Sequence, residues 1–171
     1  GSSNKSSELE VVFDALTNQW IIATSNGFFG GNIHVIRLSQ NMQALISNEN
    51  VDLPLLNSYA EATGIEFSPD LSKVIVTYTN ATNLAVSNLC FIDLDVFPYS
   101  ATSLLSNSLN SSEIKYGFIE SDGANLLIAS LNGIYRLSNP NTPDISNLSS
   151  TPIINIPIDT SNTGNSLNSF N

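Results

Sequence analysis

Positive charge is what this chain lacks most. Five lysines and arginines stand against fifteen aspartates and glutamates in 171 residues, a formal net charge of −10 at neutral pH. So acidic a surface repels phosphate backbones and anionic headgroups, which argues against nucleic acid and membrane surfaces as partners. Cys90 is the single cysteine, so no internal disulfide framework exists. It lies in an apolar run beside Asp93 and Asp95 rather than near lysine or arginine. That is the setting of a small buried hydrophobe, not of a reactive thiol. His34 is the single histidine, with no metal-ligand spacing around it and no assignable relay partners. No apolar run approaches the roughly 20 residues of a membrane helix, and insertion into a membrane is not expected. The start has no signal-peptide pattern, and Gly1-Ser2-Ser3 reads as a cloning scar or the start of a processed chain. No segment keeps a sustained helical period; helix is admissible only from Glu49 to Ala62.

What is present is strand. Val11-Val12-Phe13, Trp20 to Thr24 and Ile33 to Leu38 form a first group of short β-branched runs. Ile65-Glu66-Phe67, Val74 to Tyr78 and Leu89 to Leu94 form a second, and Tyr116 to Ile119, Leu126 to Ala129 and Ile134 to Leu137 a third. Each group ends in a weaker run: Ala44 to Ile46, Ser103 to Leu105, then Pro152 to Ile156. Asn, Gly, Ser and Pro separate the runs, which is the all-β pattern. The groups repeat. Ile22, Val76 and Ile128 hold equivalent places, 54 and 52 residues apart, and Arg37-Leu38-Ser39 recurs as Arg136-Leu137-Ser138. That spacing suits four-stranded propeller blades. Asn26-Gly27 and Asn132-Gly133 suit hairpin turns, whose central residues take positive φ. In the run from Leu89 to Val96, Cys90, Ile92, Leu94 and Val96 share one face and Leu89 and Phe91 the other. A strand apolar on both faces is covered on both. The expectation is therefore an all-β chain of about three propeller-like blades, at 9–55, 60–110 and 113–157. A flexible N-terminus (1–8) precedes them, and a Ser/Asn-rich tail or link to a further blade (158–171) follows. A β-sandwich is the alternative.

Gly64-Ile65-Glu66-Phe67-Ser68-Pro69-Asp70, then Lys73 to Tyr78, then Phe91-Ile92-Asp93-Leu94 resembles the propeller-like (WD40/YVTN-like) repeats of large Bacteroidota surface proteins. Those proteins are associated with gliding motility and type IX secretion. Asp122-Gly123 before Leu126 to Ala129, and later Asn139-Pro140-Asn141, resemble a second motif of that family. The third group departs from it, with Glu120-Ser121-Asp122 in place of Ser-Pro-Asp. The resemblance implies a secreted or cell-surface bacterial protein, a non-catalytic scaffold or adhesion module. A carbohydrate-binding or carbohydrate-active propeller is an alternative, and a subunit of a larger surface assembly another. Its expected partners are a protein or glycan at the loop surface, and remaining blades from the same or another chain.

No catalytic, cofactor-binding or metal site is expected. His34 should sit on the face opposite Ile33 and Val35. Asp93 with Asp95, Glu66 with Asp70, and Glu120 with Asp122 are the carboxylate pairs; turn chemistry is the expected use of Asp70 and Asp122. Phe28 and Phe29, at a hairpin tip flanked by glycine, form the candidate interaction surface. The loops Gly27–Asn32, Asn80–Asn88 and Asn107–Ser112 are the expected variable ones.

Overall fold

A computed structural model describes residues 8–25, 31–54, 60–80, 83–104, 118–130, 133–149 and 151–155. Among the described residues twelve strands follow one another. The first sheet holds β1 (Leu9–Asp14), β2 (Gln19–Ser25), β3 (Asn32–Ser39) and β4 (Leu45–Asp52). The second holds β5 (Ala60–Phe67), β6 (Lys73–Asn80), β7 (Asn83–Asp93) and β8 (Ala101–Ser103). The third holds β9 (Phe118–Ser121), β10 (Leu126–Ser130), β11 (Gly133–Leu137) and β12 (Ile154–Asn155). Each sheet is a four-stranded antiparallel meander, its strands side by side in chain order. The chain is all-β, as its short β-branched runs imply. Among the described residues the one helical turn is a 3₁₀ turn at Ile145–Asn147, capped by the Asp144 carboxylate on the Ser146 N–H.

The sheets stack in a row. Ile21, Ala23, Ile33, Val35 and Val51 of the first sheet pack against Ile65, Phe67, Val74, Val76, Tyr78, Cys90 and Ile92 of the second. The opposite face of the second sheet, through Ile75 and Leu89 with Phe91 beside them, packs against Leu126, Ile128, Tyr135 and Leu137 of the third. The middle sheet is therefore apolar on both faces because both are covered. This is the arrangement the alternation in β7 implies. A two-layered sandwich does not describe it.

Three local expectations are corrected. Among the described residues between Glu49 and Ala62 helix does not form: β4 runs to Asp52 and β5 starts at Ala60. In-register pairing with β3 carries Val51 into the core, and that pairing outweighs a weak local preference. Asn80–Asn88 is not a long loop, since Tyr78 pairs with Asn88 and Thr79 with Ser87 as β6 and β7 zip up. Val96 does not join Cys90, Ile92 and Leu94 in the core. β7 ends at Asp93, and Val96 is 59% exposed beyond it.

The turns carry a repeated device. In the β5–β6 turn, Ser68 N–H donates to the Lys73 carbonyl, Lys73 N–H to Ser68 Oγ, and Ser68 Oγ to Asp70 Oδ1. Leu71 N–H closes the turn on the Ser68 carbonyl, with Leu71 at φ 61°. In the β3–β4 turn Ser39, Asn41, Met42 and Ala44 repeat these roles, Met42 lying at φ 58°. The serine hydroxyl satisfies main-chain and side-chain groups that a sharp reversal leaves without strand partners.

Candidate functional site

Between the first two sheets, at the end where these turns lie, the chain forms an open cleft of about 510 Å³. The β1–β2 turn contributes Asp14 and Thr17, β3 contributes Arg37, the β5–β6 turn contributes Asp70 and Ser72, and Asp95 follows the end of β7. Leu16, Ile21, Leu71 and Leu94 supply apolar surface among them.

Each polar group is held by its own turn. Asp14 Oδ1 accepts from the Leu16 N–H at 2.9 Å, and its Oδ2 from the Thr17 hydroxyl. The Thr17 hydroxyl is the chief reason its pKa lies below the ordinary carboxylate value, with the Arg37 charge assisting. Asp70 Oδ1 accepts from Ser68 Oγ at 2.8 Å, Ser72 N at 3.0 Å and Ser72 Oγ at 2.7 Å. Burial alone would raise the Asp70 pKa, but these bonds and the Lys73 charge together outweigh it and lower it. All three bonds fall on Oδ1, which leaves Oδ2 with acceptor capacity. Arg37 donates from Nε to the Tyr99 hydroxyl at 3.2 Å, linking the first sheet to the segment after β7. One of its five N–H donors is thereby used, and the guanidinium is fixed at the cleft.

Both aspartates are ionised at neutral pH and are poor proton acceptors. The cleft thus offers fixed carboxylate acceptors, hydroxyls and one guanidinium. That set suits a hydroxyl-rich ligand and can stabilise negative charge on one ligand oxygen beside Arg37.

The residues singled out in the sequence fall as follows. Asp70 keeps its expected turn role and also reaches the cleft. Asp122 likewise accepts from the Ala124 N–H at 2.9 Å and the Asn125 N–H at 2.6 Å. Asp93 and Asp95 share a side, but the cation between them is the protein's own: Lys73 Nζ lies 3.1 Å from Asp93 and 3.9 Å from Asp95. Glu66 accepts from the Phe67 N–H at 2.9 Å. His34 is half-buried on the face away from Ile33 and Val35, as alternation requires. Cys90 is wholly buried, and burial pushes its thiol pKa up, so it is held as the unreactive thiol. Phe28 and Phe29 lie outside the described residues, as do Gly27 and Asn107–Ser112. Among the described residues no group of three or more His, Cys, Asp or Glu could hold a metal ion.

No protein-family model matches the chain, and no curated protein matches it in sequence. A solved structure does match in fold. It is a "putative 6-phosphogluconolactonase" from Bacteroides fragilis, with a TM-score of 0.50 and 17% identity over 84% of this chain. The chain spans 39% of that protein's length.

At this identity the likeness is one of fold. It nevertheless corrects the reading of the chain as a non-catalytic scaffold. That reading rested on the repeat, the family resemblance and the lack of a convergent polar constellation in the sequence, and here a similar fold belongs to a protein named as a "putative 6-phosphogluconolactonase". In the sequence Arg37 stands out only as part of the repeated Arg-Leu-Ser motif and Asp70 only as a turn residue, and neither reading marks the cleft.

Proposed function

We propose that this chain is part of a propeller-like enzyme that opens a lactone, or a related cyclic ester, of a polyhydroxylated compound. The observation that carries the reading is the likeness in fold to the Bacteroides fragilis protein. The cleft between the first two sheets supports it. Arg37 can stabilise charge developing on the carbonyl oxygen, and Asp14 and Asp70 can accept from substrate hydroxyls and fix the ring. Lactone rings already react slowly with water, so positioning and one guanidinium give useful acceleration without a strong base.

Charge argues for a difference from the named activity. Three carboxylates and a single arginine line the cleft of a chain at net −10, which disfavours a phosphorylated substrate. An unphosphorylated lactone is the better fit.

The test is proton release from glucono-δ-lactone and from its 6-phosphate, measured against spontaneous hydrolysis. The expected result is acceleration of the unphosphorylated lactone, and an Arg37→Ala variant reduced by about 10² in kcat/KM. A rate equal to the spontaneous one with both substrates overturns the reading. A preference for the phosphate overturns the charge argument.

A further inference from the structure

The two outward faces of the row are built as mates. On the first sheet, register lines up Val11, Ile22 and Ile36 across three strands, with Phe13, Trp20 and Leu38 beside them. These point away from the second sheet. Leu9 is 57% exposed, Val11 43% and Leu45 64%, and the Phe13 and Trp20 rings pair at 5.1 Å on the same face.

The repeat says what such a face is for. By hairpin register Val11, Ile22 and Ile36 are equivalent to Ile65, Val76 and Cys90 in the second sheet. Ile22 and Ile36 are equivalent to Ile128 and Tyr135 in the third. In both later sheets those residues are at most 3% exposed, because each packs on the sheet before it. At the other end of the row, the outward face of the third sheet pairs Leu127 with Arg136 and Ala129 with Ile134. The first sheet pairs Ile21 with Arg37 and Ala23 with Val35 on the face that packs against the second. The third sheet thus presents a near-copy of a surface already used in an interface. Arg136 is exposed there, at the position from which Arg37 bonds Tyr99 in the segment between β7 and β8.

We propose that the outward face of the third sheet docks on the outward face of the first sheet of a second copy, head to tail. The contact continues the stacking that already joins the sheets within one copy. It is heterologous: each copy keeps one face of each kind, so assembly closes into a ring or extends. The face around Ile22 presents Thr24, His34, Asn48 and Asn50 at its polar margin, with Asp52 beyond them opposite Asn32 and no lysine or arginine, so Arg136 meets no like charge. The proposal is independent of the ligand in the cleft.

Sedimentation of the full chain over a range of concentrations tests it, with expected mass rising above the monomer. Ile36→Glu blocks one face and Ala129→Glu the other. Each variant alone should stay monomeric, and an equal mixture should form a one-to-one dimer and no larger species. Circular dichroism checks that both retain β structure. Leu9→Lys and Arg136→Glu, at exposed positions, replace either variant that loses it. A monomeric unaltered chain at every concentration overturns the proposal. So does a folded single-face variant that associates like the unaltered chain, or a mixture of folded variants that stays monomeric.

Discussion

Gly133 shows how one residue can be fixed by a neighbouring strand rather than by its own turn. The sequence offers it as the second residue of an Asn-Gly hairpin, but it stands at the head of β11 with φ 151°. A β-carbon there would lie 2.1 Å from the Ile154 carbonyl oxygen and 2.7 Å from the Pro152 side chain. The constraint is the close passage of β12, which pairs Gly133 with Asn155. Gly133→Ala should therefore cost about 1–3 kcal/mol, from backbone strain and displaced β12 together. Urea denaturation of the two proteins measures it. An unchanged midpoint would show that β12 is not held there. Among the described residues, the four non-glycine ones at positive φ, Asn18, Met42, Leu71 and Asn139, sit in or beside turns. For Met42 and Leu71 the serine-anchored hydrogen bonds hold the conformation. Hydrophobic periodicity does not register that device.

At the scale of the element, the middle sheet decides between architectures. Ile75 and Ile92 lie on opposite faces of it, and both have no exposed surface. Ile75→Ala and Ile92→Ala should each destabilise by about 2–4 kcal/mol, again read from denaturation midpoints. An isolated sheet with one wet face would make one of the two nearly free. Much of this was legible beforehand. Strand runs of β-branched residues, the recurrence at Ile22, Val76 and Ile128, and the double-sided apolar pattern of β7 all reflect local alternation, which survives into the folded state. The cleft was not legible in the same way. Asp14, Arg37 and Asp70 are far apart in the chain, and only stacking of the first two sheets brings their turns together. Alternation places a side chain on a face; it does not say which turn will meet which. Strand ends were also hard to read, as at Val96 and β4, because cross-strand pairing sets them.

For the whole molecule, the carboxylates set the response to acid. Asp14, Asp70, Asp122 and Asp144 are all held below their ordinary value of 3.8. For Asp14, Asp122 and Asp144 the largest cause is a hydrogen bond donated within the turn, and for Asp70 such bonds overcome burial. A lowered folded pKa means that the unfolded chain binds protons first. The stability these groups supply is present above 3.8 and is lost as pH falls through their lower folded values. Glu8 works the other way. Burial, then the Glu10 charge, raise it above 4.5, so its contribution is complete below 4.5 and is lost as pH rises through its folded value. Among the described carboxylates, four turn aspartates against Glu8 give a net loss in acid. The urea midpoint should be lower at about pH 3 than at about pH 5, where the aspartates are ionised. Equal midpoints would mean that the turn bonds do not discriminate between the folded and unfolded chain.

The middle sheet has a consequence for how the polypeptide acquires its shape. With oil on both sides, it has no stable existence before a neighbour arrives, and each flank is completed by a different stretch of chain. It acts as a keystone: both cores of the row run through it.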